Sequence, residues 1–259
     1  MTIPADDRGF TLGDGLFETV LWENGGLVFW AEHFARLARG CGVLGLPIPP
    51  EAEAFDAVLV AGESLGETRG AVRLTLTAGS GGRGLDRPAA LSIRLVASAA
   101  PAPVILQPAA LVTASVRRNE ASVSSQLKTL SYLDNVLARR EATSAGADEA
   151  LMLNTRGDVA CAAAANLFWL KDDVLNTPAL ACGVLDGIVR ARLLAGSSLP
   201  VREVRAGLDE VRAADAVYLT NSLIGVRAVS RLDGRNLPQR PDVHQQSAQV
   251  IEDDRRGRR

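Results

Sequence analysis

The chain has 259 residues, 47% of them hydrophobic and 22% charged; this is the make-up of a globular protein that buries a sizeable core in one large or two modest domains. Its 28 Lys and Arg against 30 Asp and Glu leave a formal charge of −2, and only 4% of residues are aromatic. That leaves neither a basic field for nucleic acid nor a base-stacking surface. Three dispersed cysteines, Cys41, Cys161 and Cys182, lack CxxC spacing; a disulfide scaffold and a structural zinc site are excluded, and a reducing, cytoplasmic compartment is expected. The opening MTIPADDRGF has no basic segment followed by an apolar run, so no secretory signal is expected. The uncharged stretch Leu95 to Val116 contains Pro101, Pro103 and Pro108, which would break a spanning helix. It reads as strand, linker, strand, with no membrane partner.

In chain order, apolar residues at Phe34, Leu37, Ala38 and Cys41 predict an amphipathic helix over 32–46. A second follows through Phe55, Val58, Leu59 and Leu65. Val72, Leu74 and Leu76 alternate with polar neighbours, and Leu91, Ile93 and Leu95 do so again after the glycine-rich loop 79–84. The pair predicts an antiparallel hairpin. No GK[ST] and no helix follows the loop, so it reads as a turn rather than a phosphate cradle. The segment 99–103 is the expected domain linker. Beyond it come a strand at 112–116, a helix over 130–145 stopped by Gly146, and apolar runs at 150–153, 159–170, 201–204 and 216–219. Helical stretches near 188–194 and 208–214 separate them. After Ile251 no apolar residue remains, and the end is expected to be a flexible tail. The coarse class is α+β, in two domains: 1–102, 103–240, then a tail at 241–259.

Metal chemistry finds no support, because His33 and His244 are the only histidines and no HExxH occurs. GxSxG is absent too, so no hydrolase elbow is expected. What stands out is an ordered set of segments: Asp7-Arg-Gly-Phe-Thr-Leu-Gly-Asp-Gly-Leu-Phe-Glu-Thr19, His33-Phe-Ala-Arg36-Leu37, Leu127-Lys128-Thr-Leu-Ser-Tyr-Leu-Asp-Asn135 and Gly146-Ala-Asp-Glu-Ala-Leu-Met-Leu153. Ala165-Asn-Leu-Phe168, Gly183-Val-Leu-Asp-Gly-Ile-Val-Arg190 and Thr220-Asn-Ser-Leu-Ile-Gly-Val226 complete it. Together, from Asp7 to about Leu232, they resemble the class IV, fold type IV pyridoxal-phosphate enzymes: branched-chain and D-amino-acid aminotransferases and aminodeoxychorismate lyases.

The resemblance implies a small α/β N-terminal domain, a larger pseudo-barrel C-terminal domain, pyridoxal 5'-phosphate as cofactor, an amino-acid-like small-molecule substrate and a homodimer. It makes Lys128 the lysine that holds the cofactor covalently; burial would let that amine shed its charge. Without the motif, a lysine there reads as a surface residue at the start of a helix. Arg36 falls on the arginine that grips the cofactor phosphate, and a guanidinium suits a dianion. Gly187 opens a helix whose amides at Ile188 and Val189, beside Leu185, can meet phosphate oxygens. Ser222 and the amide of Leu223 would complete the cup, and Asn166 matches the family's asparagine beside the cofactor.

Two departures follow. Where most members place a glutamate facing the pyridine nitrogen, this chain has Cys161, a weak hydrogen-bond partner, and Asp158, three residues away on an extended strand, points to the other face. Cys161 either biases the site toward elimination and away from transamination or is a small residue in a packed strand, with an acid arriving from elsewhere. Only six residues precede Asp7, where family members carry a strand or two, so a missing sheet edge or a misassigned start is expected. The lyase-like loops Asn221-Ser-Leu-Ile-Gly-Val226 and Gly81-Gly-Arg-Gly-Leu85 favour an aminodeoxychorismate lyase, forming 4-aminobenzoate and pyruvate. Arg83 could meet a carboxylate, though a loop arginine in water is the simpler reading. An aminotransferase, or a cofactor-binding homologue with weakened or lost catalysis, are the alternatives.

Overall fold

Residues 2–66 and 68–256 are described in the computed structural model, and they divide into two units, Met1–Pro103 with Leu127–Ser131 and Val104–Gln126 with Tyr132–Arg259. In the first unit α1 (Arg8–Leu12) is capped by Asp7, whose side chain accepts from the amides of Gly9 and Phe10, and it stops at Gly13 with φ 68°. Then come β1 (Gly15–Glu23), β2 (Gly26–Val28), α2 (Trp30–Leu44), α3 (Glu51–Glu63), β3 (Gly70–Thr77) and β4 (Arg94–Pro101). The strands form an antiparallel sheet in the order β2-β1-β3-β4. Leu37, Cys41 and Val58 from the helices pack on Leu16, Val72, Leu74 and Leu76 from the sheet. The two helices and the hairpin's first strand are where the apolar periodicity places them.

The linker at 99–103 needs correction. Residues 99–101 belong to β4, which pairs with β3 from Thr77↔Arg94 to Gly70↔Pro101. β4 is an edge strand, so a proline at its end costs no ladder hydrogen bond. The hairpin's second strand accordingly begins at Arg94 rather than Leu91, and the long loop before it is closed by buried Arg8. That guanidinium donates to the carbonyls of Leu85 (3.1 Å) and Asp86 (2.9 Å) while its Nε pairs with Asp14 at 2.9 Å.

The second unit runs β5 (Ala109–Thr113), α4 (Val123–Gln126), α5 (Leu133–Ser144), β6 (Glu149–Leu153), β7 (Val159–Ala162), β8 (Asn166–Lys171), β9 (Val174–Pro178), α6 (Ile188–Gly196), β10 (Val201–Val204), α7 (Leu208–Arg212), β11 (Ala216–Asn221), β12 (Gly225–Leu232), β13 (Arg235–Asn236) and α8 (Pro241–Arg256). Its mixed sheet has the order β10-β9-β8-β11-β12-β5-β6-β7, with β13 beside β12. Leu111, Leu151, Leu167, Trp169, Val217, Leu219 and Val229 form one core. On the other side α5 brings Ala138 and Ala142 against Ala114, Ala150, Met152 and Cys161; such small residues let a helix lie close to a sheet.

Several boundaries differ from the sequence reading. The strand expected at 112–116 is β5, three residues earlier. The run 159–170 is two strands, because the chain turns at 163–165, where Ala162 N–H donates to Ala165 O. The helix expected from Leu130 starts at Leu133. The tail expected at 241–259 is a helix up to Arg256: Val243, Ser247 and Ile251 recur every fourth residue and are buried, and Arg192 of α6 pairs with Asp254. A stripe this narrow is easily missed among polar neighbours. Residues 257–259 lie outside the described residues. No described helix is long and apolar enough to cross a membrane.

Candidate active site

In the first unit Lys128 is not at the start of a helix. Its carbonyl accepts from Phe17 N–H at 2.8 Å, and Leu130 N–H donates to Gly15 O at 3.0 Å. Residues 128–130 thus add antiparallel to the end of β1, with Leu16 bridged to Thr129. Lys128 therefore lies across from Phe17, and its Nζ sits 4.1 Å from the centre of the Phe17 ring. The Arg73 guanidinium is 3.7 Å from the same ring. Lys128 keeps some exposure as a residue, but its amine is desolvated. Burial first, then the charge of Arg36, and with it Arg73, pull its pKa down to about 7, while Glu18 works against them. An amine in that range is uncharged in a large fraction of molecules near neutrality.

Beside it, buried Glu18 of β1 receives Arg36 of α2 as a fork, with Nε to Oε1 at 2.8 Å and NH2 to Oε2 at 2.6 Å. His33, one turn before Arg36, bonds Oε2 through Nδ1 at 2.7 Å. Burial opposes ionisation of Glu18, but the Arg36 charge and these hydrogen bonds hold its carboxyl well below the usual carboxylate range. An ionised carboxylate only accepts, so Nδ1 of His33 carries the proton and donates. Burial keeps the imidazole neutral, and Nε2 has no hydrogen-bond partner among the described residues.

In the second unit the expected phosphate-binding residues gather at one end of β8 and β11. Gly187 is the N-cap of α6, and the first amides of a helix have no carbonyl partner within it. Asn166 Nδ2 donates to Leu185 O at 2.9 Å. A Cβ on Gly187 would lie 1.9 Å from Asn166 Oδ1, so this contact requires glycine. Asn166 also stands opposite Thr220, and Asn221 Nδ2 donates to Ala164 O at 2.9 Å, which brings the Ser222–Leu223 turn to the same end. The Leu223 amide donates to Asn221 Oδ1 at 2.9 Å. That turn is held by its own asparagine, a use of the amide that the sequence reading did not anticipate.

Cys161 lies in β7 opposite Met152. Burial pushes its thiol up, Glu149 adds to the rise and Arg118 opposes it, so the position carries a neutral thiol and no counter-charge. Asp158 is taken up in the turn before β7, where its Oδ2 accepts from Asn154 Nδ2 at 3.2 Å.

Sequence reasoning missed Glu18 and Arg118. The signal for Glu18 was slight: an acid inside an apolar strand and a His/Arg pair spaced i, i+3 on a later helix, with nothing local to say that they meet. Arg118 had no local signal: its Nε donates to Gly183 O at 3.1 Å, NH1 to Asn135 Oδ1 at 3.0 Å and NH2 to Ser125 O, partners spread from seven to sixty-five residues away. It ties the segments before α5 and α6 together, and Asn135 passes the link on to Ala163 O at 2.7 Å.

The donor sets fit a phosphorylated aldehyde in two respects and depart in one. A buried lysine with a lowered pKa suits the aldehyde and glycine-opened helix amides suit a phosphate, while the position that resembles the family's glutamate holds the neutral thiol of Cys161. The model of the class IV amino-transferase family matches residues 15–232. A putative branched-chain-amino-acid aminotransferase of Methanocaldococcus jannaschii is 32% identical over 236 residues, covering 88% of this chain and 82% of that protein. Among solved structures, a putative 4-amino-4-deoxychorismate lyase from Legionella pneumophila matches with TM-score 0.90 and 30% identity, and the 4-amino-4-deoxychorismate lyase of Pseudomonas aeruginosa with 0.88 and 31%. Both matches cover 98% of this chain and 96% of the other. Motif order, sheet topology and these likenesses agree: the chain belongs to the class IV aminotransferases, a family of pyridoxal-phosphate-dependent enzymes with the type IV fold.

Proposed function

We propose that the chain is a pyridoxal-phosphate-dependent lyase that converts 4-amino-4-deoxychorismate to 4-aminobenzoate and pyruvate. The observation that carries the reading is the Lys128 amine, desolvated over Phe17 with a pKa near 7, the state a nucleophile toward an aldehyde and a base toward an α-proton both need. The likeness to the two lyase structures over almost the whole chain supports the substrate. When bound, pyridoxal phosphate supplies an electron sink for the pair left on the substrate's α-carbon. Lys128 takes the proton from that carbon. The amides of Ile188 and Val189 and the Ser222 hydroxyl would hold the phosphate, Asn166 fixes the approach of residues 185–187, and Arg36, the arginine that the resemblance assigns to the phosphate, is held in its own unit by Glu18. Formation of an aromatic amine drives the elimination forward.

The identity to the putative branched-chain-amino-acid aminotransferase of Methanocaldococcus jannaschii favours a second reading, transamination with the same lysine, and Cys161 favours a third, a homologue with weakened catalysis. The test is full-length protein loaded with cofactor and offered aminodeoxychorismate, then branched-chain or D-amino acids with 2-oxoglutarate. Equimolar 4-aminobenzoate and pyruvate support the lyase, a new amino acid supports the aminotransferase, and turnover of neither leaves the third reading. Cys161→Glu is expected to raise the rate of half-transamination about ten- to a hundredfold, the worth of a hydrogen bond to a charged group; single-turnover spectra check it, and an unchanged rate with intact pyruvate formation removes the role given to Cys161.

A cytoplasmic homodimer belongs to the same proposal. The homodimer is what the resemblance to the family implies. Light scattering is expected to give twice the chain mass, and a single-chain mass would refute the dimer.

A further inference from the structure

Arg118 is buried, and each nitrogen of its guanidinium donates to a neutral acceptor: Nε to Gly183 O at 3.1 Å, NH1 to Asn135 Oδ1 at 3.0 Å and NH2 to Ser125 O. Its own backbone is anchored first. Arg118 N–H donates to Leu153 O at 2.9 Å and Thr155 N–H to Arg118 O at 3.0 Å, so the side chain starts from the turn between β6 and β7. A guanidinium is a rigid plate with five donors, and here one plate reaches three segments at once. Two of these lead to residues expected at the cofactor. Asn135 passes the link to Ala163 O at 2.7 Å, two residues past Cys161. Gly183 lies so close to the chain at residue 120 that a Cβ would come within 2.8 Å of Glu120 Cα, and from there the backbone runs directly to Leu185 and Gly187. Leu185 O is held by Asn166 and Gly183 O by Arg118, so the approach to α6 is pinned at two carbonyls on either side of Val184.

We propose that Arg118 is a positioning residue for the cofactor's phosphate: with Asn135 it fixes the 183–187 approach relative to the turn at 163–165, and so aims the first amides of α6. The proposal rests on the cofactor reading above and adds a residue that the motifs do not reach. Arg118 acts through Gly183 O and Asn135. Without its guanidinium the approach would be held from one side, by Asn166. The amides of Ile188 and Val189 would then spend part of their time turned away from a phosphate, and a donor that must be reoriented on binding contributes less than one already aimed. A lysine at 118 keeps the charge but is a point donor on a flexible stem, and it cannot span three acceptors in one plane.

Two measurements separate this role from a contribution to folding alone. In full-length cofactor-free protein, hydrogen exchange read by peptide mass spectrometry is expected to speed up about tenfold in Arg118→Met within 161–165 and 183–189, the effect of one lost hydrogen bond to a charged group. Exchange in β11 and β12 is expected to match the wild type. Fluorescence titrations with pyridoxal phosphate and with pyridoxal then give the ratio of the two affinities, which is the phosphate's share of binding. That ratio is expected to fall about tenfold in Arg118→Met, and Arg118→Lys is expected to lie within about threefold of it. If Arg118→Met does not fold, Arg118→Lys carries both measurements against the wild type. An even rise in exchange across the second unit with an unchanged ratio would assign Arg118 to folding and overturn the proposal. A wild-type ratio in Arg118→Lys would also overturn it, since charge alone would then suffice. Wild-type protein that binds neither compound would sink the cofactor reading and this proposal with it, whereas a wild type that binds both leaves Arg118 to be judged by its own variants.

Discussion

Lys128→Ala is expected to abolish covalent attachment of pyridoxal phosphate and to lower turnover by about 10⁴-fold, the combined worth of a lost nucleophile and a lost base. Borohydride reduction followed by peptide mapping checks the first part and product assays the second. Lys171 is the only other amine on a side chain, and it lies on the surface with its Nζ 3.3 Å from Ala213 O, so specific label at that residue would defeat the assignment. A second consequence needs no cofactor. The Lys128 amine has a folded-state pKa of about 7 against an ordinary 10.5. Between these values the unfolded chain binds a proton that the folded chain does not, so this group makes stability rise with pH from about 7 to 10.5. Below 7 the full penalty of burying an ammonium is present. Lys128→Met is therefore expected to melt several degrees higher than the wild type at pH 6 in the cofactor-free state, with the gain fading toward pH 10. A gain independent of pH would mean that ordinary packing, and not a desolvated charge, governs the position.

The parts of the molecule that were legible are those in which one local pattern decides the outcome. The alternation in 72–76 and the helical spacing of Phe34, Leu37 and Cys41 each bury one face, and both appear as read. Lys128 was singled out by its motif, but its setting was not legible. A lysine between Leu127 and Leu130 looks like the beginning of the helix that follows, and only the pairing with Gly15 and Phe17, more than a hundred residues earlier, holds it extended. The 99–103 segment misled for a related reason: prolines suggest a linker unless the strand is an edge, and edge position is a property of the sheet. Glu18 shows a third limit. Its role depends on Arg36 and His33 meeting it from another element, and an acid inside a buried strand is otherwise only an anomaly. Cys161 was legible as a departure from a pattern, whereas the neutrality of its thiol follows from burial and from Glu149, against the pull of Arg118.

Gly187→Ala is expected to have the next largest effect, and the reason is contact rather than backbone freedom. Gly187 has φ −76° and ψ 141°, a conformation open to any residue. Its added methyl would lie 1.9 Å from Asn166 Oδ1 and 3.1 Å from Asn166 Cγ. Asn166 is buried in β8, and its amide is tied to Leu185 O, so the side chain cannot swing away without giving up that bond. The strain of such overpacking is about 1–3 kcal/mol, read as a lowered denaturant midpoint. Because Ile188 and Val189 follow directly, displacing the cap also turns their amides, and cofactor affinity is expected to fall about ten- to a hundredfold, one to two hydrogen bonds to a charged group. Asn166→Ala alone loses the Leu185 bond but leaves the glycine's place free. In the double variant the collision is gone, so its affinity is expected to match Asn166→Ala rather than the sum of the two losses. Fluorescence titration with pyridoxal phosphate across the four proteins decides it. Additive losses would mean that the two residues act independently and that the tight approach of Asn166 to Gly187 does not shape the start of α6.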